Sequence, residues 1–235
     1  MDADPRFDRP IPITTESAES RLFTRVYALM GMGLGLTALV AYFTLSSRAV
    51  LELVFGNRMV FFGLMIAELG LVAWLSGLVG RMSASTATAV FLFYSVLNGV
   101  TLSCVALVYT TGSIASTFVV TAGTFGAMSV YGHVTKRSLQ GLGSFCFMGL
   151  IGVILASVVN IFVRSNMLEF VLSVGGVIVF TGLAAYDTRK LKILAQTVDA
   201  DSEDGRRASV VGALSLYLDF VNLFLMLHRL FGRRR

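Results

Sequence analysis

Three carboxylates stand where charge is costly. Glu68, Asp187 and Asp219 lie inside or at the edge of long apolar runs. An aspartate at the centre of a membrane helix costs about 2.5 to 3.5 kcal/mol on insertion, so such a residue needs an internal partner or a wet cavity. Asp219 sits near the middle of its run, with Ser215 at i−4, Asn222 at i+3 and Met226 a turn further on the same face. Two carboxylates brought together in a low-dielectric site cannot both ionise cheaply and can hold one shared proton. Losing that proton creates repulsion and, with it, a pair of hard oxygen ligands of the kind calcium takes. An ion path must then hold the cation weakly enough to release it. Two further polar stripes, Tyr94-Asn98-Thr101 and Thr117-Thr121-Thr124, either line the same interior or tie helices together by hydrogen bonds.

The elements that position these groups follow from composition. Of 235 residues, 55% are hydrophobic and 14% charged, against roughly 25% charged in a soluble domain. The surplus apolar surface needs lipid, and one bundle accounts for the chain, leaving no room for a second, soluble domain. Apolar stretches run over Val26 to Ser47, Met59 to Gly80, Thr86 to Tyr109, Ser113 to Val134, Gly141 to Val163, Met167 to Asp187 and Ser209 to Leu230. Each reaches the ~20 residues that a helix needs to cross the hydrocarbon. The runs are continuous rather than alternating, which excludes a barrel. The expected fold is an all-α integral membrane bundle of seven transmembrane helices, the seventh at its centre. Residues 1–20, with Pro5, Pro10 and Pro12, are expected to form a flexible cytoplasmic tail before a membrane domain over 21–235. No cleavable signal peptide is expected, because polar residues precede the first apolar run. Gly31 and Gly35 match a small-xxx-small contact pattern.

Lys and Arg set the orientation. With the N-terminus in the cytoplasm, twelve fall on that side, the last five (Arg189, Lys190, Lys192, Arg206, Arg207) in the connection 188–208, against Arg48, Arg58 and Arg164 in the opposite loops. The basic C-terminus is either outside, after a complete seventh span, or returned by a re-entrant one; the complete span is favoured. The net charge of +5 is dispersed over loops and ends, which suits lipid headgroups and not nucleic acid. Cys104 and Cys146 read as small packing residues, and His133 and His228 as interfacial anchors. Trp74 reads as packing or an aromatic belt. The acidic centre of 188–208 (Asp199, Asp201, Glu203, Asp204) has the wrong glycine spacing for a calcium loop and reads as solvated.

The segments Ala184-Ala185-Tyr186-Asp187-Thr188-Arg189-Lys190 and Ala213-Leu214-Ser215-Leu216-Tyr217-Leu218-Asp219-Phe220-Val221-Asn222-Leu223-Phe224 closely resemble the last two helices of the Bax-inhibitor-1, or transmembrane Bax-inhibitor-motif, family. Asn98-Gly99-Val100-Thr101-Leu102 and Glu68 extend the resemblance more loosely over the earlier spans. Bacterial members of that family are calcium-leak proteins, so the resemblance implies a pH-sensitive calcium leak with Ca2+ as the transported ion. It implies that Asp187 and Asp219 form a paired, proton-sensing gate that also meets the metal, with Glu68 as a supporting or entry acid. It further implies a basic residue pairing with Asp187, for which Arg81 is the nearest candidate. The short N-terminal tail and the absence of organelle signals suit a bacterial cytoplasmic membrane as the setting. The connection 188–208 is longer than the family pattern.

Two rival readings accompany it. Family members are also linked to cell-death or stress control and to membrane proteases, which gives a non-transporting regulator with a membrane-protein partner. Paired aspartates on neighbouring helices also occur in intramembrane aspartyl proteases, but the Gly-x-Gly-Asp and Pro-Ala-Leu motifs of those enzymes are lacking here; no enzymatic activity and no bound cofactor are expected.

Overall fold

The computed structural model describes residues 15–233. Among these the chain is helical throughout, without a strand: α1 (Thr15–Ser46), α2 (Arg48–Phe55), α3 (Arg58–Leu78), a 3-10 turn (Val79–Arg81), α4 (Ala84–Val108), α5 (Thr111–Val134), α6 (Gln140–Val163), α7 (Asn166–Ala195) and α8 (Glu203–Phe231). All but α2 are long and apolar enough to cross a membrane, which makes seven candidate spans.

The helix starts are written in short polar residues. Ser47, Asn57, Ser83, Thr110, Ser165 and Ser202 each accept a hydrogen bond from a backbone N–H of the first turn they precede, satisfying donors that would otherwise be orphaned. Arg164 closes α6 in the left-handed region, at φ 52°, and Asn160 Oδ1 receives the next amide, Ser165 N, at 2.9 Å. This polar turn separates two long apolar helices.

Three boundaries differ from the sequence reading. The first helix begins at Thr15, so the last part of the segment read as a tail is helical, while residues 1–14, with the three prolines, lie outside the described residues. The short helix α2 occupies the connection from Arg48 to Arg58, which reads as a loop in the sequence. The third difference concerns the connection 188–208: α7 runs on to Ala195 and α8 starts at Glu203, which leaves only residues 196–202 between them. The helices continue through the charged residues that flank the apolar runs because Lys, Arg and Glu form helix about as readily as Leu.

That short connection is pinned to the bundle. Arg25 donates to the Ala200 carbonyl and pairs with Asp201 at 3.3 Å, Arg21 pairs with Asp201 at 3.4 Å, and Glu203 Oε1 accepts the Ala84 amide at 2.6 Å, at the start of α4. At the opposite rim the Thr110 amide donates to the Arg233 carbonyl at 3.1 Å, and the Arg233 amide to Ser113 Oγ at 2.9 Å. Between these rims α8 runs unbroken for 29 residues, about 43 Å of helix. The re-entrant alternative for this segment is therefore set aside.

The helix α8 is the centre of the bundle. It packs against α1, α4, α5 and α7, and 67% of its most apolar stretch is buried, against 6% for the outer helices α3 and α6. Those two display Phe62, Ile66, Leu69, Phe145, Ile151 and Leu155 outward, a surface only lipid can solvate. Close helix contacts occur at single glycines. Gly132 of α5 lies against the Ala185 backbone of α7, and Gly33 of α1 faces Phe91 and Ser95 of α4. The small-residue contact of α1 is thus made by Gly33, while Gly31 and Gly35, the expected pair, meet nothing within 4 Å. They face outward because positions two apart point to opposite sides of a helix.

Candidate ion site in the bundle

Asp219 is carried by the most enclosed helix and is 5% exposed. Its Oδ2 is buried without a hydrogen-bond partner among the described residues. An acceptor left in that state costs about 1–3 kcal/mol, more when charged, and such atoms are rare in native proteins. Asp187, only partly buried, lies within electrostatic reach of it. The contacts of Leu191 with Gly212 and of Gly176 with Met226 fix the antiparallel register of α7 and α8. That register sets Asp187 level with Ser215, about one helical turn from Asp219.

A third helix reaches the same place. The space beside Gly182 of α7, where a Cβ would stand, is occupied by Cys146 Sγ of α6, and Cys146 is also an electrostatic neighbour of Asp219. Both cysteines are unpaired in disulfide terms, and Cys146 packs as expected of a small buried residue. Nothing in the residue pattern signals that Cys146 lies near an acid, since its position depends on the glycine opposite.

The other expected neighbours are placed differently. Asn222 donates its amide N–H to the Leu218 carbonyl at 2.8 Å. Ser215 is partly buried, on the level of Asp187. Arg81 lies exposed at the end of the 3-10 turn and makes no ion pair with Asp187 among the described residues; the cation acting on Asp187 is Lys190 of its own helix. No cluster of three or more His, Cys, Asp or Glu is found among the described residues, so a cation at this site would draw on the two carboxylates with hydroxyl, carbonyl or water oxygens.

Glu68 belongs to a separate polar cluster on the opposite side of α8. It accepts Thr101 Oγ1 at 2.5 Å and is also hydrogen-bonded by Asn98. Asn98 Oδ1 accepts from Tyr217 Oη at 3.1 Å, and Tyr217 Oη lies 2.6 Å from Thr37 Oγ1. Tyr217 is fully buried and its ring meets Phe91 and Tyr94 edge-on. The Tyr94-Asn98-Thr101 stripe therefore serves α1, α3 and α8. The second stripe serves another place: Thr117 Oγ1 is 3.1 Å from His228 Nδ1, and Thr121 bonds back to the Thr117 carbonyl. His228 is 1% exposed, with Tyr109 and Phe224 against its ring, so it is a core histidine and not the interfacial anchor expected. His133, 42% exposed in its side chain and beside Glu19, fits the interfacial reading.

Tyr217→Phe would remove the hydroxyl shared by Thr37 and Asn98. A loss of about 1 kcal/mol is expected, in the range of membrane hydrogen bonds, read as a lower thermal midpoint in detergent. Tyr131→Phe on the exposed face of α5 is expected to leave the midpoint unchanged.

Comparison with known proteins agrees with this architecture. The family model described as "Inhibitor of apoptosis-promoting Bax1" matches residues 19–235. The chain is 51% identical to inner membrane protein YbhL of Escherichia coli K12, over 98% of this chain and 99% of that one. It is 44% identical to an uncharacterized protein of Borreliella burgdorferi over 96% and 99% of the two chains, and 43% identical to uncharacterized protein RP147 of Rickettsia prowazekii over 94% and 93%. With seven apolar spans, the last of them central, and a match over nearly its whole length, the chain is an integral membrane protein of the Bax inhibitor-1 family.

Proposed function

We propose that the protein is a pH-sensitive cation leak channel, with calcium as its ion, gated by the carboxylates of Asp187 and Asp219. The observation that carries the proposal is the buried, unpartnered Oδ2 of Asp219 on the central helix, with a second carboxylate in electrostatic reach. A pair of this kind can hold one shared proton and offers hard oxygen ligands when it loses it. Asp187, nearer the rim that holds the 196–202 connection, would meet the ion on one side, and Asp219 in the interior. Glu68, in its own cluster with Thr101 and Asn98, is proposed as an entry acid. The setting we propose is a bacterial cytoplasmic membrane with the N-terminus inside, by analogy with the relative named an inner membrane protein and by the distribution of Lys and Arg.

The test is calcium entry into liposomes that carry the purified full chain and a trapped calcium indicator. Flux above that of empty liposomes, changing with pH, is expected. Absence of flux at every pH would remove the leak reading. It would favour the second one, a non-transporting regulator acting on a membrane-protein partner, which rests on the family's description as an inhibitor.

A further inference from the structure

A cavity of about 880 Å³ opens between α1 and α5. These helices flank α8 without packing closely on each other, and Phe220, beside Asp219 in the chain, lies at the floor with its ring 5.5 Å from that of Phe125. The lining is graded along α5. At the rim stand Glu19, His133 and Lys192, then Ser129 a turn deeper, then Phe125 and Phe220.

The rim is a mixed-charge site. Glu19 Oε1 is 3.5 Å from His133 Nε2 and 3.6 Å from Lys192 Nζ, ionic contacts too long for good hydrogen bonds. Lys192 Nζ also donates to the His133 carbonyl at 2.9 Å, which leaves the ammonium two further N–H donors, and the carboxylate retains acceptor capacity for a ligand. Ser129 is 6% exposed and its Oγ has no partner. Helical hydroxyls ordinarily bond back to the preceding turn, as those of Thr121, Thr188 and Ser209 do here. Ser129 instead lines the cavity with its donor free.

We infer that this groove binds one phospholipid whose headgroup carries both a phosphate and a primary ammonium. The phosphate meets Lys192 and His133, the ammonium meets Glu19, and an acyl chain lies over Phe125 and Phe220. The four-residue step from His133 to Ser129 is about 6 Å, on the scale of the step from a lipid phosphate to its ester groups, so the Ser129 hydroxyl donates to an ester carbonyl. A purely anionic head would leave Glu19 facing negative charge. A choline head has no N–H to give it.

The test is native mass spectrometry of the full chain after exchange with phosphatidylethanolamine, phosphatidylcholine and phosphatidylglycerol of identical acyl chains. One retained phosphatidylethanolamine, favoured about tenfold over each of the others, is expected. Glu19→Gln should narrow its margin over phosphatidylglycerol. Gly126→Leu should abolish retention by filling the groove, since Gly126 lines it and meets nothing within 4 Å; Ala122→Leu fills it from an adjacent lining position. Equal retention of the three headgroups, a preference for phosphatidylglycerol, or undiminished retention in both filled variants would overturn the inference.

Discussion

Asp219→Asn is expected to give a folded, membrane-inserted protein whose cation flux no longer follows pH. The substitution keeps the shape of the side chain and removes its charge and its exchangeable proton. Because Oδ2 of Asp219 is buried without a hydrogen-bond partner, that oxygen makes no hydrogen bond whose loss would weaken the bundle. Leaving such an acceptor unpaired costs about 1–3 kcal/mol, and part of that cost is relieved in the amide. The thermal midpoint in detergent should therefore be equal to or above that of the wild type. A residue retained against stability at the centre of a bundle is retained for what its charge does. A variant that loses both flux control and fold would mark Asp219 as a structural acid, and one that keeps the wild-type pH profile would remove it from the gate.

Gly132→Leu is expected to be the most damaging single change away from the carboxylates. A Cβ at this position would run into the carbonyl oxygen of Ala185. That obstacle is backbone, so no change of rotamer relieves it, and α5 must move away from α7. Overpacking a core side chain costs typically about 1–3 kcal/mol; against backbone about 3 kcal/mol or more is expected, read as a fall in thermal midpoint or in yield of folded protein. Ala185 precedes Asp187 by two residues, so any protein that does fold should also show altered flux. Gly31→Leu, into open surroundings, is expected to change stability by no more than about 0.5 kcal/mol.

The fold was legible because lipid imposes one solution on a long apolar run: the seven spans and the central role of the last follow from length and from the cost of burying Asp219. What was not legible depended on the direction in which a residue faces. Gly31 and Gly35 match a contact pattern, but Gly33, between them, makes the contact. His228 lies near a span end, yet the docking of residue 233 on the α4–α5 turn encloses that end. Asn222 shares the face of Asp219 by periodicity, but its amide donates to the Leu218 carbonyl. The length of the connection between the last two helices was misjudged for a related reason. Spacing along the chain does not show where a charged helix end stops: α7 runs on past Asp187 to Ala195, and α8 begins at Glu203, ahead of Ser209. The convergence of Glu68 with Tyr217, through Asn98, needed four helices to be placed at once.

The joint action of the two acids is the central claim, and a double-mutant cycle on calcium flux addresses it directly. Wild type, Asp187→Asn, Asp219→Asn and the double variant would be reconstituted at equal density and assayed across one pH series. Residues that act as a unit give non-additive effects. The expected result is that each single variant loses the pH dependence and the double variant is no different from either. Independent, additive effects, or a wild-type pH profile in both single variants, would contradict a paired gate.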